Sequence, residues 1–412
     1  MMRVNLEEVV VPSKDIELLI LGSKSETNRL LILQAMHSGI TLSNSAHCDD
    51  SQAMTEALRL GTGHIDIGHA GTAMRFLTAY FAGQSGASVV LTGSERMQNR
   101  PIGVLVDALR SIGADINYQG KEGYPPLLIK GKTLDKNAVE ISGRISSQYL
   151  TALMLLGTKL KNGLIIKVIE GLTSLPYLKM TKSLIERVGG HVELSATRIV
   201  VHSLTSIGPQ EIAIDSDWSS ASYWYSFVAL SAESKIRLGD YSLKSIQGDS
   251  DVARIYEMLG VSTIYQPDQR SVELMKTAQH KVDHLELDLS GTPDLAQTIA
   301  VTCAGLGISC HLTGLHTLKI KETDRLLALK QELEKLGAQV DITDDAMQLK
   351  AQGGLVAHDQ IETYDDHRMA MAFAPLVQKM SLSINEAQVV TKSYPEFWQD
   401  LSRAGVKMTF EN

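Results

Sequence analysis

The chain has 412 residues, of which 44% are hydrophobic and 21% charged, so it can bury a sizeable core, and its length favours two domains. A net charge of -8 argues against a general nucleic-acid or membrane-surface binder, since such proteins need a basic excess. The three cysteines have no metal-ligand spacing, and no apolar run is long enough for a membrane span. We therefore expect an unprocessed cytoplasmic protein in which any anionic ligand meets a local cluster of bases.

One pattern recurs along the chain: a helical segment, then a glycine, then an alternating segment typical of a strand. The glycines are Gly61, Gly113, Gly189, Gly260, Gly337 and Gly405. Glycine at this place is typical of a helix C-cap with a left-handed residue. Most intervals are about 70 residues, enough for two helices and two strands, and the first is shorter. The pattern predicts six units, three per domain, although such junctions also occur in any α/β protein.

Seven short polar clusters precede apolar-periodic runs and predict helix N-termini. They are Gly22–Leu33, His69–Tyr80, Arg144–Leu155, Thr173–Met180, Gly291–Val301, Lys321–Leu329 and Asp365–Phe373. A helix N-terminus is a potential anion site because its first N–H groups are unpaired. Each cluster taken alone is better explained as an ordinary helix cap.

Capping does not explain the basic residues in these clusters and in other polar loops, since caps favour acids. These bases are Lys24, Arg29, Arg75, Arg100, Lys321, Arg325, Arg368 and Lys392. Arg29, Arg75 and Arg325 are predicted about one turn inside their helices, where a guanidinium could grip a phosphate or carboxylate. Two acids, Asp294 and Glu322, lie in such clusters and suit acid–base work, though both could also be structural helix-start acids. His367 gives a weaker signal.

Twelve stretches, in order from Gly22 to Phe397, resemble the EPSP synthase (3-phosphoshikimate 1-carboxyvinyltransferase) family. They are GSKSETNR, AGTAMR, LTGSERMQNRPIGVLVDAL, EGYPPL, SSQYLTAL, SLPY, DWSSASYW, SIQGD, PDLAQT, KIKETDRL, YDDHRMAMAF and TKSYPEF. The resemblance implies an α/β (α+β) fold, a two-domain inside-out α/β barrel with helices inside. Each domain would contain three βαβαββ-type units. The expected N-terminal domain is 22–215, and the discontinuous C-terminal domain is 1–21 with 216–412.

The resemblance also implies the reaction. The 5-hydroxyl of shikimate 3-phosphate adds to phosphoenolpyruvate, and phosphate then leaves, giving 5-enolpyruvylshikimate 3-phosphate for chorismate and aromatic amino acid biosynthesis. Implied catalytic residues are Asp294 as the base for the hydroxyl, with Glu322 and Lys24 moving protons at the enolpyruvyl carbon. We expect no metal, no organic cofactor, no nucleic acid or membrane partner, and a monomer.

Ligand residues are carried over by motif as what the resemblance implies. Those for shikimate 3-phosphate are Lys24, Ser25, Arg29, Ser146, Ser147, Gln148, Ser174, Asp294 and Lys321. Those for phosphoenolpyruvate are Lys24, Gly71, Arg100, Gln148, Arg325, Arg368 and Lys392. Gly71 followed by Thr72 resembles the glyphosate-sensitive form of the family, so we expect a glyphosate target.

Four positions depart from the family pattern: His69 for Asn, Phe76 for Pro, Leu21 for Pro and Thr317 for Asn. The path from Asp50 to Gly71 is also short, by about one helix–strand element, so we expect a reduced first unit. Two alternatives remain open. One is the related enolpyruvyl transferase of UDP-N-acetylglucosamine, disfavoured because no cysteine lies between Cys48 and Cys303. The other is a non-catalytic relative that binds phosphorylated metabolites.

Overall fold

A computed structural model describes residues 2–9, 15–144, 146–277, 280, 282–350, 354–356 and 360–411, and these include every site residue named above. The chain divides into two compact units. The N-terminal unit is Gly22–Ile214, and the C-terminal unit is Met1–Leu21 with Asp215–Asn412. Asp215, expected to end the N-terminal domain, falls in the C-terminal unit, where its carboxylate accepts a hydrogen bond from Arg270 Nη2 at 3.0 Å.

Two strands near the N-terminus, β1 (Arg3–Leu6) and β2 (Ile16–Leu19), belong to the C-terminal unit. The N-terminal unit then contains α1 (Lys24–Met36), β3 (Ile40–Ser43), α2 (Asp49–Leu60), β4 (Gly63–Asp66), α3 (Gly71–Ala82), β5 (Ser88–Thr92), α4 (Glu95–Gln98), α5 (Gly103–Ser111), β6 (Asp115–Tyr118), β7 (Leu127–Lys130), β8 (Ala138–Ser142), α6 (Ser147–Gly157), β9 (Leu164–Ile169), α7 (Leu175–Arg187), β10 (Val192–Leu194), β11 (Arg198–Val201) and β12 (Gln210–Ala213).

The rest of the C-terminal unit continues in chain order. It contains α8 (Trp218–Leu230), β13 (Lys235–Gly239), α9 (Val252–Met258), β14 (Val261–Gln266), β15 (Ser271–Lys276), β16 (His284–Asp288), α10 (Ala296–Leu306), β17 (Ser309–Thr313), α11 (Arg325–Lys335), β18 (Gln339–Ile342), β19 (Met347–Lys350), β20 (Gln360–Ile361), α12 (His367–Phe373), β21 (Leu382–Ile384), α13 (Phe397–Arg403) and β22 (Met408–Glu411). Short 3-10 helices include Pro293–Leu295, His316–Ile320 and Ala387–Lys392. All seven predicted helix starts are confirmed.

The repeat is visible in the sheets. In the described residues, five sheets have four strands, in the orders β4-β5-β7-β6, β8-β9-β11-β10, β2-β13-β15-β14, β16-β17-β19-β18 and β20-β21-β1-β22. In four of them a parallel pair is followed by an antiparallel hairpin, as when β4 pairs parallel with β5 and β7 pairs with both β5 and β6. With the intervening helices, this is the predicted βαβαββ unit.

The sixth sheet is the reduced one. Its two strands, β3 and β12, pair in parallel, and no hairpin joins them in the described residues. Helix α2 leads through Gly61 directly into β4, the opening strand of the next unit. We expected a missing helix–strand element. Compared with the other units of this chain, the first unit retains its second helix and lacks the hairpin.

All six repeat glycines have the predicted left-handed backbone, with φ of 68° at Gly61, 108° at Gly113, 94° at Gly189, 86° at Gly260, 87° at Gly337 and 89° at Gly405. An L side chain is strained at these angles, which is why glycine ends each helix.

Burial shows that helices form the interior of each unit. Every residue of α8 and of α12 is buried, and so are nearly all residues of α3 and α6. Strands instead alternate, as in β2, where Ile16 and Leu18 are buried and Glu17 and Leu19 exposed. This pattern is typical of a sheet with one face on the core, and it confirms the expected inside-out arrangement. No helix in the described part of the chain is long and apolar enough to cross a membrane.

Candidate active site

In the N-terminal unit, side-chain hydrogen bonds link α3 to α6 at their first turns and α1 to α7 further along both helices. Gln148 Nε2, in the first turn of α6, donates to Thr72 Oγ1 in the first turn of α3 at 3.3 Å. Arg29 Nε of α1 donates to Thr181 Oγ1 of α7 at 2.9 Å. Helix N-termini carry partial positive charge, so the adjacent starts of α3 and α6 favour an anionic ligand.

Lys24 is the first residue of α1, whose cap is Ser23. Its Nζ lies 3.2 Å from Oδ2 of Asp50, and the two side chains are 15% and 5% exposed. The carboxylate balances the ammonium charge in a largely buried place, where an unpaired charge would be costly. Asp50 was not predicted, because an acid in the first turn of a helix, here α2, is an ordinary dipole-favoured residue.

The Arg29 guanidinium is held by protein groups on several sides. Nη1 donates to the Ser25 carbonyl at 2.7 Å, and the guanidinium carbon lies 5.5 Å from the Phe76 ring centre and 5.9 Å from that of Tyr177. Burial lowers the pKa of Arg29 to about 10, with Tyr177 and Glu26 acting in the opposite direction, so the group remains charged at neutral pH. Ser25 itself is half-buried. Phe76, one of the atypical positions, therefore stacks on a predicted ligand residue.

Gly71 and Arg100 are in direct contact. A Cβ added to Gly71 would lie 2.5 Å from Nη1 of Arg100, closer than a Cβ approaches any other heavy atom. The Arg100 Nε is buried and has no hydrogen-bond partner among the described residues. Arg75, one turn into α3, donates to the carbonyls of Gly71 at 3.2 Å and Pro101 at 3.0 Å, so it fixes the segment that carries Arg100. A guanidinium thus lies at the N-terminus of α3, a strong anion site.

Three predicted serine ligands lie at the starts of α6 and α7. Ser146 caps α6 by accepting from the Gln148 N–H at 3.2 Å, and Ser147 is buried in the first turn. Ser174 precedes α7 with φ 53° and ψ 47°, and its hydroxyl makes no capping hydrogen bond. A left-handed serine costs free energy, and such residues cluster at ligand sites.

In the C-terminal unit, the buried Arg325 side chain is surrounded by three carboxylates. Nε donates to Asp366 Oδ2 at 2.6 Å, Nη1 to Asp294 Oδ1 at 3.0 Å and Nη2 to Glu322 Oε2 at 2.8 Å. Burial lowers the pKa of Arg325, but the three carboxylates outweigh it and raise the pKa above its ordinary value. Arg325 is the first residue of α11, capped by Asp324, so our prediction of one turn inside the helix was wrong.

Asp294 lies among bases on both of its oxygens. Its Oδ2 accepts from Arg368 Nη2 at 3.0 Å, and its Oδ1 lies 3.5 Å from Lys321 Nζ. Burial raises the pKa of Asp294, but Arg368, Lys321 and Arg325 reverse this and hold it well below its usual range. The carboxylate is therefore ionised and able to accept a proton, although these cations make it a weak base.

Glu322 bridges two bases, since its other oxygen, Oε1, lies 3.1 Å from Lys392 Nζ. Asp366, which was not predicted, is fully buried and caps α12 by accepting from the Arg368 N–H at 2.9 Å. The Asp365–Phe373 cluster was predicted to start a helix, but only the tertiary structure shows that the Asp366 carboxylate also accepts a hydrogen bond from Arg325. Four bases here are paired with three carboxylates: Lys321, Arg325, Arg368 and Lys392 with Asp294, Glu322 and Asp366.

Asp249, in the SIQGD stretch, is a further buried acid. Its Oδ2 accepts a hydrogen bond from the Ser219 hydroxyl, while its Oδ1 has no partner among the described residues. Burial, followed by repulsion from Asp294, raises the pKa of Asp249 to about 7 despite the opposing Arg368. Ser219 Oγ also lies 3.5 Å from Arg368 Nη2, which links this acid to the cluster.

His69 and Thr317, two further atypical positions, differ in their contacts. His69 Nδ1 lies 3.0 Å from Ser94 Oγ, the cap of α4, so this imidazole orders the loop before α3. Thr317 is buried in the 3-10 helix before Lys321, and its hydroxyl has no partner within the described residues.

The fold and the site define an α/β protein of two units in which buried bases lie beside carboxylates near helix starts, an arrangement suited to small anionic ligands. A family model described as EPSP synthase (3-phosphoshikimate 1-carboxyvinyltransferase) matches residues 61–401. The chain belongs to this family.

Curated relatives support the same family, and solved structures share the fold. The 3-phosphoshikimate 1-carboxyvinyltransferase of Bacteroides fragilis (strain YCH46) is 44% identical over 389 residues, covering 93% of this chain and 94% of its own. That of Marinomonas sp. (strain MWYL1) is 34% identical over 412 residues, covering 93% and 95%. EPSP synthase from Acinetobacter baumannii superposes with a TM-score of 0.80 at 19% identity, covering all of both chains. The enolpyruvyl transferase NikO from Streptomyces tendae gives 0.72 at 12%, covering 100% and 99%, so these two share the fold.

Proposed function

We propose that this protein transfers the enolpyruvyl group of phosphoenolpyruvate to the 5-hydroxyl of shikimate 3-phosphate, releasing phosphate, as the names of its relatives describe. The observation that carries the proposal is the Asp294 carboxylate, held ionised by Arg368, Lys321 and Arg325 in a chain of this family. A protein that only bound metabolites would have no evident need for such a carboxylate.

The ligand assignments follow the charges. Arg100 at the start of α3, with Arg325, Arg368 and Lys392, would hold the phosphate and carboxylate of phosphoenolpyruvate, with Lys24, Gly71 and Gln148. Shikimate 3-phosphate would be bound by Lys24, Ser25, Arg29, Ser146, Ser147, Gln148, Ser174, Asp294 and Lys321. The support is that hydrogen bonds link α3 to α6 and α1 to α7 in the N-terminal unit, and that Asp294 pairs with Arg325 and Arg368 in the C-terminal unit.

In the proposed reaction, Asp294 accepts the proton of the attacking hydroxyl. Its pKa is held low by cations in the ligand-free protein. When the phosphate and carboxylate of phosphoenolpyruvate pair with Arg325 and Arg368, less positive charge acts on Asp294, so the bound substrate makes it a stronger base. The base would thus reach full strength only with phosphoenolpyruvate bound.

Glu322 and Lys24 are proposed to deliver and remove the proton at the enolpyruvyl carbon. Glu322 lies between Arg325 and Lys392, and Lys24 pairs with Asp50. The surrounding bases would stabilise the charge that develops as phosphate leaves. Neither step requires a covalent enzyme adduct.

The alternative acceptor, UDP-N-acetylglucosamine, is not favoured, because the matching family model and the relatives described above are EPSP synthases. We further propose that the protein acts in the cytoplasm as a monomer. Light scattering after size exclusion would test the monomeric state.

The proposed function is tested by phosphate release from phosphoenolpyruvate with each acceptor in turn. We expect release with shikimate 3-phosphate and none with UDP-N-acetylglucosamine. Release with the nucleotide sugar alone would establish the alternative enzyme, and no release with either would leave a binding protein.

A further inference from the structure

Three exposed side chains outside the proposed active site converge on the β10–β11 hairpin of the N-terminal unit: His191, Glu193 and His202. Their ligand atoms, two imidazole nitrogens and one carboxylate oxygen, all lie within 4.8 Å of one another. Nothing in the enolpyruvyl transfer reaction uses them.

Strand geometry explains the convergence. The ladder pairs Val192 with Val201 and Glu193 with Val200, so His191 lies opposite His202, and the His202 N–H donates to the His191 carbonyl at 3.1 Å. Side chains alternate along a strand, so the buried Val192 and Val201 leave both histidines and Glu193 together on the outer face.

The spacing suits a small divalent ion. His202 Nε2 lies 3.3 Å from Glu193 Oε1, and the two imidazole rings are 4.9 Å apart between centroids. In a tetrahedral zinc site with bonds of about 2.0–2.1 Å, neighbouring ligand atoms are separated by roughly 3.3–3.4 Å. The distance between His202 and Glu193 already matches that between two ligands of such a site. Rotation of the exposed His191 side chain would bring its nitrogen to a similar distance from both.

We propose that His191, Glu193 and His202 form a surface site for a divalent transition-metal ion, most suitably Zn²⁺, with water completing the coordination. Two imidazoles and a carboxylate suit zinc, copper or nickel, whereas magnesium and calcium prefer oxygen ligands alone. An ordinary exposed ion pair between Glu193 and His202 would stabilise the hairpin only weakly and would give His191 no role.

The site is separate from the proposed active site. Helix α7 begins after the predicted ligand Ser174 and ends at Arg187, just before the hairpin. Its 13 residues span about 20 Å. The bound ion would link β10 to β11 and would stabilise the folded protein as its concentration exceeds the dissociation constant.

The test is Zn²⁺ binding to the full-length protein after removal of metal with a chelator, measured by calorimetry and by thermal unfolding. We expect one saturable site, a rise in Tm with Zn²⁺, and loss of both in His191→Asn and in His202→Asn. The control is His284→Asn: His284 pairs with Glu286 at 3.4 Å but belongs to no three-ligand group in the described part of the chain.

Each result decides the proposal. Equal binding by the wild type and both hairpin variants would overturn it. Loss of Zn²⁺ binding in His202→Asn with full Zn²⁺ binding retained by His191→Asn would also overturn it, because His191 would then not be a ligand. Phosphate release by the metal-stripped protein should equal that of the untreated protein, since the site takes no part in the reaction.

Discussion

Replacing Gly71 by alanine should displace Arg100 without unfolding the protein. The new Cβ would lie 2.5 Å from Arg100 Nη1 and 3.0 Å from both Cζ and Nη2, whereas ordinary contacts begin at 3.4 Å. The guanidinium must therefore recede by about 1 Å, and a misplacement of that size can cost about 10²-fold in rate. Because it is the end of a flexible side chain, the protein itself is little strained.

The expected result is a fall of about 10²-fold in kcat/KM for phosphoenolpyruvate, read by phosphate release, with a much smaller change for shikimate 3-phosphate. The wild type should be inhibited by glyphosate in competition with phosphoenolpyruvate, and the variant should resist it. Alanine favours helix over glycine by up to about 1 kcal/mol, so Tm should not fall.

The matched control is Gly208→Ala, since a Cβ there meets nothing within 4 Å. It should leave both kcat/KM values unchanged. If Gly71→Ala kept the wild-type kcat/KM for phosphoenolpyruvate, the assignment of Arg100 to that substrate would be wrong. A wild type indifferent to high glyphosate would refute the expected sensitivity.

Three further predictions follow from the buried charges of the C-terminal unit. Asp294→Asn should lower kcat by about 10²–10⁴-fold, with a smaller effect on phosphoenolpyruvate binding by fluorescence titration, and unchanged turnover would exclude it as the base. The pKa of Asp249, about 7 against an ordinary 3.8, means that the folded state holds an extra proton between these values. Stability should therefore fall as pH rises through this window, by up to about 1.4 kcal/mol per pH unit, and Asp249→Asn should flatten the slope in denaturant titrations at several pH values. An equal slope in both proteins would contradict the raised pKa. Arg325→Ala should lower the free energy of unfolding by about 3–5 kcal/mol in thermal unfolding, because it leaves buried carboxylates unpaired. Arg254→Ala, which breaks an exposed ion pair, should lower it by at most about 1 kcal/mol. Equal losses would show that the buried network contributes no more than a surface pair.

The sequence predicted the helix starts and the repeat because their signals are local. A left-handed glycine such as Gly113 or a cap such as Ser146 depends on a few neighbouring residues, and both predictions are confirmed. The reduced first unit was also visible as a short interval, but which part was missing was not. A hairpin and a helix–strand pair shorten the chain similarly, and only the sheets distinguish them.

Several charge partners within the site could not be predicted, because they are far apart in the sequence. Asp366 is 41 residues from Arg325, and its role as a cap concealed its second role as an ion-pair partner. The raised pKa of Asp249 depends on burial and on Asp294, neither of which a short motif reveals. Phe76 was recognised as atypical, yet its stacking on the Arg29 guanidinium requires the packing of α1 against α3.

The central claim is that enolpyruvyl transfer breaks the bond between C2 of phosphoenolpyruvate and its bridging oxygen. It is tested most directly with phosphoenolpyruvate that carries oxygen-18 between C2 and phosphorus. With shikimate 3-phosphate present, mass spectrometry should find the label in the released phosphate and none in the organic product. Label retained in pyruvate or in the organic product would show cleavage at phosphorus instead, and would contradict the proposed transfer.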